Sequence, residues 1–163
     1  MRGGSSQQLL VYAYGPGVDR AKRAQDHPSE PAVEAQRSAR VAMQRKKIAI
    51  VDDEESIRKV YSIILKRLGY EIDFLAGDGD ECVRNVLELN SLPDLIIMDY
   101  RMPAMDGLEA SALLLRHNPE LRIIIASADD SIQPRVESMG MIFLQKPFYS
   151  AALSAAVGEA FSR

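Results

Sequence analysis

Four short apolar runs in the later part of the chain each stop at a charged or hydroxyl side chain. They are Ile48-Ala49-Ile50-Val51 before Asp52-Asp53, Leu95-Ile96-Ile97-Met98 before Asp99, Ile123-Ile124-Ile125-Ala126 before Ser127, and Ile142-Phe143-Leu144 before Gln145-Lys146. Continuous apolar runs of this length, rich in β-branched residues, read as strands buried on both faces. If the four lie parallel, three carboxylates, a hydroxyl and an ammonium meet at one sheet edge. Carboxylates a few Å apart disfavour each other's ionisation, and a divalent cation relieves that repulsion.

Helical patterns separate the runs. Ile57, Val60, Tyr61, Ile64, Leu65 and Leu68 follow the i, i+3, i+4, i+7 series of one helix face, with Gly69 as its stop. Glu71 to Leu75 alternates polar and apolar and reads as an edge strand. Cys82, Val83, Val86, Leu87 and Leu89 mark a second helix, after which Pro93 opens the third strand. A third helix is expected from about Leu108 to Leu115, with Asp106-Gly107 as its start and Asn118-Pro119 as its end. Ser131 is the expected cap of a fourth helix carrying Ile132, Val136 and Met139, with Pro134 in its first turn. A fifth strand is expected over about Met141 to Leu144, and Leu153, Val157 and Phe161 mark a last helix. Five alternating strand and helix units imply a parallel α/β sheet covered on both faces. In such sheets ligands bind beyond the carboxyl ends of the strands, where Asp52, Asp53, Asp99, Ser127 and Lys146 all fall.

Charge divides the chain. Residues 1 to 47 hold nine Lys/Arg against four Asp/Glu, leaving eleven against nineteen for the remainder. The acidic part is a poor nucleic-acid binder, since affinity for phosphate backbones comes from clustered cations. Residues 1–45 read as a disordered extension and residues 46–163 as the folded domain. Gly15-Pro16-Gly17 and His27-Pro28-Ser29-Glu30-Pro31 are linker-type punctuation, with at most a thin helix opening at Pro31. A basic arm that touches a partner is the less favoured reading, and Met43 offers an alternative start. The lone Cys82 excludes an intrachain disulfide and is read as a small packing residue. No apolar stretch has the length of a membrane span, and a cytoplasmic location is expected.

Val51-Asp52-Asp53-Glu54, Met98-Asp99-Tyr100-Arg101-Met102-Pro103-Ala104-Met105-Asp106-Gly107, Ser127-Ala128 and Lys146-Pro147-Phe148 together resemble the receiver domain of two-component response regulators. The resemblance covers about residues 46 to 162. It implies a flavodoxin-like (βα)5 fold with strand order 2-1-3-4-5, and a phosphorelay in which Asp99 accepts a phosphoryl group from a histidine kinase or phosphotransfer protein. A carboxylate is chemically suited to that step, forming an acyl phosphate. The implied cofactor is Mg²⁺, held by Asp52, Asp53, Asp99 and the backbone carbonyl of Arg101. Lys146 and Ser127 would contact phosphoryl oxygens. Ser127 and Phe143 would form a switch acting on the face built by the fourth helix, fifth strand and fifth helix. A cis peptide is implied at Lys146-Pro147.

Only Ser162 and Arg163 follow Phe161, so the expected output is a separate partner protein, a homodimer through that face, or phosphate relay, rather than an attached DNA-binding domain. The chain is expected to be a signalling phosphoacceptor rather than an enzyme. Arg101 is expected to change attack by water on the acyl phosphate, and Asp129 reads as a solvated loop residue. Two other readings compete. A haloacid-dehalogenase-type phosphatase also uses an aspartyl nucleophile and Mg²⁺, but needs a second aspartate where Arg101 stands. A phosphorylation-independent binding module would need no intact acidic set, yet none of the acidic or Lys positions is missing.

Overall fold

In the computed structural model, which describes residues 46–88 and 92–163, the apolar runs form four strands of a five-stranded parallel sheet. The elements alternate as β1 (Lys47–Val51), α1 (Glu55–Arg67), β2 (Glu71–Ala76), α2 (Gly79–Glu88), β3 (Leu95–Asp99), α3 (Gly107–His117), β4 (Arg122–Ser127), α4 (Gln133–Ser138), β5 (Ile142–Gln145) and α5 (Ser150–Ser162). Strand order is β2-β1-β3-β4-β5, as the resemblance implied, with β2 at one edge. The expected extension over 1–45 lies outside the described residues, as does Leu89.

Strand periodicity assigns every core side chain to one of two layers. Ile48, Ile50, Leu95, Ile97, Ile124 and Leu144 pack under α1 and α5, against Tyr61, Leu65, Leu153 and Val157. Ala49, Val51, Ile96, Met98, Ile123 and Ile125 pack under α2, α3 and α4, against Cys82, Val86, Leu114 and Val136. Both faces of the central strands are thus apolar, which is why those runs are continuous rather than alternating. Each fully buried Ile or Leu contributes about 1.5–3 kcal/mol relative to exposure. Leu153 and Val157 on α5 are fully buried within this chain.

Helix ends explain the departures from expectation. Asp106 caps α3 through a capping box with Glu109, so the helix begins at Gly107. Asp129, rather than Ser131, is the cap before α4. It accepts from the Ser131 N–H and hydroxyl and opens a 3-10 turn over Asp130–Ile132 that leads into the helix. An Asx side chain reaches the N–H two residues on, which places the cap earlier than the hydroxyl did. Gly69, at φ +93°, ends α1 in a conformation that favours glycine.

Candidate functional site

Sheet register brings the site residues to one edge. Val51 pairs with Met98, Asp99 with Ala126 and Ser127 with Gln145. Asp52, Asp99, Ser127 and Lys146 therefore leave the ends of β1, β3, β4 and β5 side by side. The Tyr100 N–H donates to Ala126 O at 3.0 Å and the Lys146 N–H to Ser127 O at 2.8 Å, extending the ladder into the loops. Asp99, Arg101, Ser127, Ala128, Asp129 and Lys146 line an open cleft of about 320 Å³.

Within it, Lys146 Nζ donates to Asp99 Oδ1 at 2.5 Å and to Asp52 Oδ2 at 2.9 Å. Asp52 and Asp99 are buried, and a quarter of the Lys146 side chain reaches solvent. Burial is the largest influence on the Asp99 carboxyl and pushes it up. Asp52 adds to that, while Lys146 and the Arg101 backbone N–H pull the other way. Burial also opposes the charge on Lys146, but hydrogen bonds to Asp99 and Asp52 outweigh it and hold the ammonium above its ordinary range. The result is a charged, half-desolvated cluster that any bound anion or cation must reorganise.

Of the residues the sequence pointed to, Asp52, Asp99 and Lys146 touch, and Ser127 and Arg101 line the same cleft. Asp53 lies beside them but is exposed. Ser127 Oγ accepts from the Asp129 N–H at 3.0 Å. Phe143 is half-buried against the layer beneath α4. The Lys146-Pro147 peptide is cis. Asp129 is a loop residue, as expected, and it also has a partner: its Oδ2 accepts from Arg101 Nη2 at 2.9 Å, tying the loop after β4 to the loop after β3.

Four further residues shape the site in ways the sequence patterns did not mark. Arg58 Nη1 donates to the Asp52 carbonyl at 2.5 Å. Tyr61 stacks on Phe148, centroids 5.3 Å apart, and its hydroxyl is pushed up to about 12, by burial first. Gly107 packs so closely that a Cβ there would lie 2.3 Å from Asp99 O.

Among the described residues no group of three or more His, Cys, Asp and Glu side chains converges as a metal cage. The donor chemistry nevertheless fits a hard cation. Two buried carboxylates already converge on one small cation, the Lys146 ammonium, and Mg²⁺ needs few protein oxygens because it keeps several waters.

The response regulator receiver domain model matches residues 48–158. The transcriptional regulatory protein PdtaR of Mycobacterium tuberculosis is 36% identical over 120 residues, which are 72% of this chain and 58% of that protein. The chemotaxis protein CheY of Thermotoga maritima is 31% identical over 117 residues, 70% of this chain and 96% of that one. The chain thus spans little more than half the length of PdtaR but nearly all of CheY. Among solved structures, a chain of the CheX-CheY-BeF3-Mg complex from Borrelia burgdorferi superposes with TM-score 0.69 at 26% identity, covering 72% of this chain and 90% of that one. The response regulator protein TrrA from Thermotoga maritima, in complex with Mg²⁺-BeF, gives TM-score 0.64 at 30% identity, covering 71% and 98%.

Proposed function

The chain belongs to the response regulator receiver domain family, and on that premise we propose that Asp99 is its phosphoacceptor within a two-component phosphorelay. The observation that carries this reading is the Lys146 ammonium held between Asp99 and Asp52 at the carboxyl ends of β5, β3 and β1.

The donor is a phosphohistidine on a histidine kinase or phosphotransfer protein. An Asp99 carboxylate oxygen attacks phosphorus; the new P–O bond forms as the P–N bond breaks, and the departing imidazole nitrogen keeps the electron pair and takes a proton. Lys146 is placed to hold a phosphoryl oxygen, because its ammonium already touches Asp99 Oδ1. Ser127, at the end of the neighbouring strand, offers a hydroxyl to another. Asp52, Asp53, Asp99 and the Arg101 carbonyl are the residues that would hold Mg²⁺, which when bound neutralises charge on the phosphoryl oxygens. The magnesium in the CheX-CheY-BeF3-Mg complex of Borrelia and in the Mg²⁺-BeF complex of TrrA from Thermotoga supports that assignment.

Readout follows from the same geometry. When Ser127 turns its hydroxyl to the phosphoryl group it gives up the Asp129 N–H, and the loop before α4 moves. Phe143 on β5, packed beneath α4, follows into the space released, so that α4, β5 and α5 present a changed face to a separate output partner or a second copy. We place residues 46–163 as the receiver domain, residues 1–45 as an extension and the protein in the cytoplasm. No helix among the described residues is long and apolar enough to cross a membrane.

The test is intact mass after incubation with Mg²⁺ and a small phosphodonor such as acetyl phosphate. A gain of one phosphoryl group is expected, lost without Mg²⁺ and lost in Asp99→Asn. Modification that persists in Asp99→Asn sinks the assignment, and many turnovers of a generic phosphate ester without a phosphorylated protein revive the phosphatase reading.

A further inference from the structure

Arg58 has no part in the phosphoryl chemistry above, yet its side chain reaches back six residues to the loop that carries the acids. It is half-buried in the first turn of α1, and its Nη1 donates to the carbonyl oxygen of Asp52 at 2.5 Å. The peptide unit is planar, so fixing the Asp52 carbonyl fixes the plane of the whole peptide joining Asp52 to Asp53. That loop is pinned at two other points. The Asp52 N–H donates to Ala76 O at 3.2 Å, and Asp52 Oδ1 accepts from the Glu54 N–H at 3.0 Å. Neither of those pins sets the peptide plane between the two acids.

The same guanidinium flanks the neighbouring loop. A Cβ on Gly77 would lie 3.8 Å from Arg58 Nη1 and 3.5 Å from Glu81 Oε2. Glu81 Oε2 in turn accepts from the Gly77 N–H at 2.6 Å. Arg58 from α1 and Glu81 from α2 therefore brace the loops after β1 and β2 over a glycine that leaves room for both.

We propose that Arg58 is a positioning residue for the cation site: it sets the peptide plane between Asp52 and Asp53 and so fixes the direction in which both carboxylates leave β1. The inference rests on the Mg²⁺ site of the proposed function. Its sign separates it from plain electrostatics. A positive charge beside a cation site repels the cation, so by Coulomb's law alone removing Arg58 strengthens Mg²⁺ binding. Positioning predicts the reverse, because groups that orient metal ligands typically alter affinity by about 10- to 100-fold when lost.

The experiment is a Mg²⁺ titration of the full chain by calorimetry, with the Asp53 and Glu54 amide NMR signals followed in parallel and no phosphodonor present. Arg58→Met is expected to raise the Mg²⁺ dissociation constant about tenfold or more, and Arg58→Lys, which keeps the charge but not the fork of donors, to fall between Met and wild type. If Arg58→Met does not unfold cooperatively in urea, Arg58→Lys alone decides, with weaker binding than wild type as the supporting result. Unchanged or tighter Mg²⁺ binding in the variants overturns the positioning role. A wild-type chain that does not bind Mg²⁺ overturns the cation site beneath it, a result distinct from the first.

Discussion

Lys146 Nζ lies 2.5 Å from Oδ1 of Asp99, across the width of β4, which separates their two strands. The contact joins the end of β5 to the end of β3 and makes the charge state of one group depend on the other.

Asp99 accordingly titrates above its ordinary value of 3.8, with burial as the first cause. Between the ordinary and the raised value the folded chain binds more protons than the unfolded one. Stability from this group therefore falls as pH rises through that window. A carboxyl NMR titration without Mg²⁺ should find Asp99 raised, lower in Asp52→Asn and higher still in Lys146→Met. An Asp99 that titrates at or below the ordinary carboxyl range contradicts this electrostatic picture.

Gly107→Ala should be costly in a specific way. The added Cβ meets Asp99 O at 2.3 Å, a backbone atom that cannot swing aside. Overpacking of this kind costs about 1–3 kcal/mol. Urea unfolding should show that loss, together with slower phosphorylation, because the carbonyl displaced belongs to the phosphoacceptor itself. A variant with wild-type stability and rate would show that the loop after β3 absorbs the methyl group freely.

The Arg101 and Asp129 pair closes one side of the cleft at 2.9 Å. It is solvent-exposed, so its effect is small, at most about fivefold in a rate. Arg101→Ala and Asp129→Asn should each speed loss of phosphate by up to about that factor, and the double variant should do no more than either, the mark of one shared interaction. Dephosphorylation rates from timed intact-mass measurements check it. If Arg101→Ala leaves the rate unaltered, the gating role fails.

Ser127→Ala removes the hydroxyl that now accepts from the Asp129 N–H. Phosphorylation of Asp99 should continue at a reduced rate, while the change at Phe143 is lost. Ring signals of Phe143, followed by NMR on adding Mg²⁺ and beryllofluoride, should shift in wild type and stay still in Ser127→Ala. A full shift in the variant would remove Ser127 from the switch.

Much of this architecture was legible because burial on both faces writes itself into strands as unbroken Ile, Leu and Val. Once β1, β3, β4 and β5 are placed in parallel, the residues after each run have nowhere to go but one edge, so Asp52, Asp99, Ser127 and Lys146 followed from pattern. What escaped depends on loops meeting in space. Arg58 touches Asp52 at a separation of six residues that matches no helical or strand period. The partner of Asp129 was not foreseen because Arg101 is 28 residues away on another loop, and nothing local marks that proximity. Asp53 shows the converse: adjacent to Asp52 in sequence, it points to solvent while its neighbour is buried, because successive residues leaving a strand face opposite ways.

The central claim is that a carboxylate, at position 99, carries the phosphoryl group. Borohydride reduces an acyl phosphate of aspartate to homoserine but leaves phosphoserine and phosphohistidine unreduced. Treatment of the phosphorylated chain, followed by peptide mass mapping, should place homoserine at Asp99 and nowhere else. Phosphorylated protein without homoserine at position 99, or with the phosphate on a serine or histidine, would contradict the account.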